Sequence, residues 1–300
     1  MKLLSLIRSG LSHTKIDFMK VHKIALVMSV VCMIGSIAVV MVKGLNFGID
    51  FSGGILIEAR ISKDFDIAKV RESLKEIRDV QIQNIDETDL LIRVAKSDEE
   101  QSVMVKRIQE ILSKNFSEIE YRKVDYVGPQ VGSELIIKGF LALLLSFVFI
   151  MIYIWIRFDW QFGFGGIFAL IHDAILTLGF YSISGLEFNL TSIAAILTII
   201  GYSINDSVVI YDRIRENMRR YRKMDFSDLI NSSANSTLSR TVLTGGVTLA
   251  SIAALIIFGG EALYSFSVAT FFGIVIGTYS SVYISAPILI YMDPRKKEKA

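Results

Sequence analysis

Cysteine and histidine are scarce in this 300-residue chain, which carries one Cys and three His. The lone cysteine, Cys32, lies inside an apolar run, so intrachain disulfides and cysteine-built zinc sites are excluded. His13, His22 and His172 do not suffice for a metal cluster. There is no phosphate-binding glycine loop, no nucleophile elbow and no HExxH. A conventional enzyme is therefore not expected, nor is a metal or an organic cofactor. Excess charge is missing too. A formal net charge of +2 identifies no partner, and no nucleic-acid ligand is expected.

What is abundant is apolar surface. Some 52% of the residues are hydrophobic and the mean hydropathy is +0.50, too apolar for one soluble domain. Six runs stand out, at 24–42, 135–156, 162–183, 190–211, 241–258 and 263–291. Each is close to the ~20 residues that cross ~30 Å of hydrocarbon. The first run is not followed by a small-residue cleavage site, so it is kept as a membrane anchor. Residues 1–23 form an N-terminal arm, 43–134 a domain outside the membrane, 135–291 the remaining five spans and 292–300 a basic tail.

Lysine and arginine set the orientation. They crowd the arm (Lys2, Arg8, Lys15, Lys20, Lys23), the segment Arg213–Lys223 and the tail (Arg295, Lys296, Lys297, Lys299). Arg157 follows the second span, while the loops at 184–189 and 259–261 carry none. Both termini are then cytoplasmic in a bacterial inner membrane, and the 43–134 domain is periplasmic. The basic run 213–223 reads as topology signal and anionic-lipid contact.

Within 43–134 the pattern predicts a strand at 54–61 and a helix at 66–77, whose apolar positions Ile67, Val70, Leu74 and Ile77 follow a helical period. Short strands at 80–85 and 90–95 flank a turn at 86–89. A helix capped by Ser97, with Glu99 and Glu100 in its first turn, runs to Asn115. A last strand covers 118–127. The order β-α-β-β-α-β is ferredoxin-like. The expected fold is thus a six-span α-helical membrane protein with one small α+β domain outside, suited to binding or coupling.

The costly residues lie in the spans. Asp206 lies sixteen residues past Leu190, about 24 Å of helix at ~1.5 Å per residue. An aspartate near a helix centre costs about 2.5–3.5 kcal/mol on insertion scales, and its default reading is functional. Arg240 opens the fifth run at a comparable depth and is the natural ion-pair partner. Protonating Asp206 would remove its attraction for Arg240 and allow repacking. The alternatives are an interfacial Asp206 and an Arg240 that serves only topology. The helical face of Thr191, Ala194, Ala195, Thr198, Gly201, Tyr202 and Asn205 carries small or polar-tipped side chains that suit helix packing, leaving Ile196, Leu197, Ile200 and Ile204 for lipid or apolar helices. His172 and Asp173 sit near mid-membrane in the third run, either as a proton carrier or as helix–helix hydrogen bonding. Their side chains diverge by ~100° on a helix and need not pair. Gly163, Gly165 and Gly166 precede them, and Gly273 and Gly277 have the small-xxx-small spacing of close helix contacts.

Several stretches resemble one family. Gly44-Leu-Asn-Phe-Gly-Ile-Asp-Phe-Ser-Gly-Gly54 resembles the GxDFxGG signature of the SecF family of bacterial Sec protein-export membrane subunits. The run from Gly201 to Glu216 (GYSINDSVVIYDRIRE) is similar to that family's fourth-helix motif, and Thr237–Thr244 (TLSRTVLT) to the opening of its fifth helix. LIHDA at 170–174 and GLEFN at 185–189 also match. The resemblance spans roughly residues 16–287. It implies an RND-related half-transporter working with SecD beside the SecYEG channel and its accessory subunits. It also implies that the proton-motive force is used to draw exported polypeptide outward. In that family an aspartate of the fourth helix and an arginine opening the fifth are tied to proton movement, and the matching positions are Asp206 and Arg240. Asn205, His172 and Asp173 are possible accessory polar residues. Two rival readings are half of a proton-driven RND-type exporter of small molecules or lipids, and a scaffold that steadies a translocase without transducing energy.

Overall fold

A computed structural model describes residues 15–61, 66–77, 80–84, 88–94, 101–116 and 118–295. In chain order the helices and strands are α1 (His22–Lys43), β1 (Gly54–Ile61), α2 (Ile67–Ser73), β2 (Val80–Asn84), β3 (Asp89–Val94), α3 (Gln101–Asn115), β4 (Ile119–Val127), α4 (Pro129–Arg157), α5 (Trp160–Ser184), α6 (Leu190–Arg220), α7 (Phe226–Phe258), α8 (Glu261–Ser280) and α9 (Ala286–Met292). A single helical turn, Ile49–Ser52, precedes β1, and a π-helical turn, Ser281–Ser285, joins α8 to α9. Six helical segments are long and apolar enough to cross a membrane: α1, α4, α5, α6, α7, and α8 with the π turn and α9. The chain is a multi-pass membrane protein with a small α/β region.

In the α/β unit the strands are antiparallel in the order β2-β3-β1-β4, the ferredoxin-like arrangement in which β3 separates β1 from β2. Alternation along β1 puts Ile55, Ile57, Ala59 and Ile61 into the core and leaves Leu56, Glu58 and Arg60 on the other face. Met104, Ile108 and Leu112 of α3, one helical turn apart, close over them. Such fully buried apolar side chains contribute about 1.5–3 kcal/mol each. Asp66 caps α2 by accepting the Ala68 N–H at 2.8 Å. The helix is shorter than the apolar spacing predicts. Leu74 leaves helical geometry at φ −96°, ψ 8°, yet it and Ile77 stay buried in turn conformation. The Ser97 cap, Glu99 and Glu100 lie outside the described residues.

On the other face, Asp89 receives Arg60 through two hydrogen bonds, at 2.8 and 3.0 Å, and Arg122 at 3.0 Å. The hydrogen bond from Arg60, reinforced by the charge of Arg122, holds the Asp89 carboxyl below the usual carboxylate range.

Two helices reach well past the apolar runs. α6 continues to Arg220 and α7 begins at Phe226, so the polar stretch before Arg240 is helical and Arg240 lies inside α7, not at its start. Asp225 supplies the cap by accepting the Ser227 N–H at 2.9 Å. The extensions are held together by polar pairs, Asn217 to Ser233 and Arg213 to Ser236, both 2.9 Å. Phe158, Phe162, Tyr211, Ile214 and Phe226 belong to one apolar core. The sixth run is interrupted: Pro287, early in α9, has no N–H to continue an α ladder, and the π turn precedes it.

The first span packs through small residues. The buried side chains of α1 are Ser29 and Ser36, while Ile24, Val27, Val31 and Ile34 face outward. Ser36 occupies the position that a Cβ on Gly179 of α5 would need. In lipid, where burying one apolar side chain against another gains little, such close backbone approach carries the packing.

Candidate functional site in the helix bundle

α6 is oriented by its polar side chains. Ser203, Asp206, Ser207, Ile210 and Tyr211 are buried, and Ile196 and Ile200, further up the same stripe, are buried with them. Ala194, Thr198, Gly201 and Asn205 are exposed. The small-residue face expected to pack on another helix is thus largely uncovered in this chain. Ala195 is buried, and Ile196 and Ile200, expected against lipid or apolar helices, are buried within the protein. The reason lies near the middle of the helix. In a membrane the polar groups of Ser203, Ser207 and Tyr211 must find partners within the protein. Those partners are on α5 and the sixth span. Once they fix the helix rotation, the isoleucines have no choice of side.

Asp206 is 3% exposed, and its Oδ2 has no hydrogen-bond partner among the described residues. The charge that acts on it is Arg240 of α7, although the two form no direct ion pair among the described residues. Arg240 is exposed beside an inward face of Ser233, Thr237, Thr241 and Gly245, each four residues apart. The two sequence-derived residues are thus brought into electrostatic range but not into contact. Asn205 is exposed and takes no part in the buried site.

His172 and Asp173, adjacent in α5, are both fully buried and do pair, with Nδ1 to Oδ1 at 2.9 Å. Asp173 Oδ2 accepts the Ser203 hydroxyl at 2.6 Å and the Ser280 hydroxyl at 2.7 Å, so one carboxylate ties α5, α6 and α8 together. A row of hydroxyls continues from there. Ser207 donates to Ser281 at 3.2 Å, and Tyr211 meets Ser285 at 2.5 Å. Sequence reasoning missed these partners. Ser203, Ser207 and Tyr211 recur every four residues, which was legible. Their match to Ser280, Ser281 and Ser285 was not, because the π turn shifts the facing register.

A second cluster lies at the α/β unit. Asp50, in the glycine-rich stretch after α1, accepts the Leu190 N–H at 3.0 Å and so caps the start of α6. Gly53 and Gly54 follow with φ of 71° and 121°, backbone that favours glycine. Glu187 pairs with Arg93 of β3. Burial pushes the Glu187 carboxyl up, and the Arg93 charge opposes that shift.

Comparison with known proteins adds to this geometry. Residues 107–295 match the family model described as protein export membrane protein SecD/SecF, C-terminal, and residues 38–64 match the SecD/SecF GG motif. The protein translocase subunit SecF of Rickettsia bellii is 53% identical over 288 residues, covering 94% of this chain and 95% of that protein. SecF of Rickettsia prowazekii is 52% identical over 288 residues, covering 94% and 93%. Among solved structures, the translocon-associated SecDF of Thermus thermophilus superposes with a TM-score of 0.85 at 34% identity, over 94% of this chain and 39% of that one. SecDF in a super-membrane-facing form gives a TM-score of 0.69 at 34% identity, covering 95% of this chain and 39% of that one. The chain belongs to the SecD/SecF family of protein-export membrane proteins.

Proposed function

We propose that this chain is the SecF-type subunit of a Sec protein translocase, an auxiliary membrane component that works with SecD. It spends the proton-motive force on moving exported polypeptide outward. The observation that carries the energy-coupling part is Asp206, a buried carboxylate with an unpartnered oxygen in a membrane-spanning helix. A buried acid in this setting is a site for reversible protonation. Protonation removes its attraction for Arg240 on the neighbouring helix. A proton crossing 100 mV releases about 2.3 kcal/mol. With about 1.4 kcal/mol per tenfold, that biases a two-state rearrangement by tens-fold.

The uncovered stripe of Ala194, Thr198, Gly201 and Asn205, with Arg240 exposed on the next helix, suits close packing by a helix of SecD. Both termini are then cytoplasmic, the α/β unit is periplasmic, and the role is not enzymatic. The cleft lined by Arg157, Arg215, Arg219 and Arg220 with Asp212 and Glu216 suits anionic lipid headgroups. SecYEG and the translocating chain complete the assembly.

The test is export of a secreted reporter in cells lacking the native subunit, complemented with wild type or Asp206→Asn at equal membrane levels. Asparagine keeps the shape and loses the titratable group. Failure to restore export supports proton coupling. Full restoration means that Asp206 is structural and the subunit a scaffold.

A further inference from the structure

His172 and Asp173 have no part in the function proposed above, and they are as deeply buried as any side chain in the bundle. Both are 0% exposed, about twelve residues into α5, hence ~18 Å along a helix that spans the membrane. With Nδ1 of His172 donating to Oδ1 of Asp173 at 2.9 Å, the single hydrogen of a neutral imidazole sits on Nδ1. Its other ring nitrogen, Nε2, is buried and has no partner among the described residues. The dyad therefore holds one vacant proton position, aimed into the protein.

We propose that His172 and Asp173 form a proton-exchange site of their own, separate from Asp206, whose occupancy is read by the sixth span through Ser203 and Ser280. The inference rests on the proton-coupled reading of the bundle and adds a second station to it. A proton arriving at Nε2 forms an N–H bond there and gives imidazolium. The Nδ1 hydrogen then passes to Oδ1 of Asp173, breaking one N–H bond and forming one O–H bond. The imidazole is left neutral, with its hydrogen on Nε2. No other bond changes and no electrons are transferred.

The second step has a mechanical consequence. Hydrogen bonds to an ionised acceptor are about twice as strong as neutral ones. Protonating Asp173 thus weakens the bonds from Ser203 at 2.6 Å and from Ser280 at 2.7 Å. Ser280 is the last residue of α8, immediately before the π turn. Turns of this kind sit inside helices at functional sites and give the chain an alternative register. Releasing Ser280 frees that turn to change register, with Ser281 and Ser285 leaving Ser207 and Tyr211.

The groups facing the dyad are few. Tyr279 of α8 lies over the imidazole, with ring centroids 6.3 Å apart, and its hydroxyl meets Ser29 of α1 at 3.1 Å. α1 has no charged residue between Lys23 and Lys43, and α4 has none between Lys138 and Arg157. On α6 the titratable neighbour is Asp206, three residues beyond Ser203, and on α7 the charged one is Arg240.

The chain has three histidines. Replacing His13→Gln and His22→Gln leaves His172 as the sole source of imidazole signal. The 15N spectrum of this full-length variant, in nanodiscs and in complex with SecD, is followed from about pH 5 to about pH 8. The expected result is that, as pH falls, the protonated-nitrogen resonance moves from Nδ1 to Nε2, with two widely separated resonances whose assignments exchange, in the Asp206→Asn background as well. Adding Ser203→Ala and Ser280→Ala shifts the midpoint, which a histidine that merely packs would not do. A hydrogen that stays on Nδ1 across the whole range overturns the proposal. Titration that vanishes in Asp206→Asn overturns the claim of a separate site. Loss of export in Asp206→Asn with a silent His172 leaves the proton-coupled function standing and removes only this station.

Discussion

Three glycines near the start of α5 offer a graded test of how tightly the polar seam is built. A Cβ added at Gly165 would lie 2.7 Å from the backbone carbonyl of Ser285 and 3.1 Å from the Tyr211 hydroxyl. Neither neighbour yields cheaply, since the first is main chain and the second is locked at 2.5 Å to Ser285 Oγ. At Gly166 the nearest atom is Ile154 Cδ1 at 3.3 Å, the mobile end of a side chain. At Gly163 the obstacle is the indole of Trp155, at 2.7 Å, on a residue that is 54% exposed and able to swing away. Alanine in a helix interior is favoured over glycine by about 1 kcal/mol. Overpacking costs about 1–3 kcal/mol, and a strained buried hydrogen bond a further ~1 kcal/mol. Gly165→Ala is therefore expected to lose about 1–3 kcal/mol net, and Gly166→Ala to range from neutral to a gain of about 1 kcal/mol. At about 2–4 °C per kcal/mol for a chain of this size, the two variants separate by several degrees. The assay is the thermal midpoint of the full-length chain in detergent, read by size-exclusion recovery because Gly163→Ala disturbs Trp155 fluorescence. A Gly165→Ala protein melting at or above wild type, or a Gly166→Ala protein melting below Gly165→Ala, would refute the packing argument.

Other expectations follow from single contacts. Gly179→Val should part α1 from α5, because Ser36 already fills the space, and should raise proteolysis or cross-linking accessibility along α1. The Asp89 carboxyl, lowered by Arg60 and Arg122, contributes stability that is present above the ordinary carboxylate range near about pH 4 and lost as pH falls through its depressed value. Hydrogen exchange in β1 and β3 should rise at low pH in wild type, and Asp89→Asn should flatten that response. Glu187 has the opposite sign. Its raised carboxyl favours the folded state below about pH 4.3 and costs stability as pH rises through the folded value. Glu187→Gln should therefore be neutral or stabilising near neutral pH, while Arg93→Met at that pH should cost about 1–3 kcal/mol by removing the guanidinium opposite the carboxylate.

The sequence by itself determined the number of spans and the ferredoxin-like order of the α/β unit, and it singled out Asp206, which the structure buries. Each of these is a local signal. A run of ~20 apolar residues has nowhere to go but a bilayer. Ile55, Ile57 and Ile61 alternate as a half-buried strand must, and Met104, Ile108 and Leu112 recur as an amphipathic helix must. An acid within such a run is conspicuous for its cost. The ends of α6 and α7 were less legible, because polar residues continue a helix as readily as they end one when a neighbouring helix supplies their partners.

Only the tertiary structure decided which way α6 faces. The sequence left both the small residues and the isoleucines free to pack on a helix, and Ile196 and Ile200 are the ones buried, because Ser203, Ser207 and Tyr211 had to reach hydroxyls and a carboxylate on two other spans. The same holds for Asp173, bonded through 30 residues of sequence to Ser203 and through 107 to Ser280. A partner's identity is set by which helices meet and at what register. A π turn that shifts that register leaves no mark in the periodicity of the sequence.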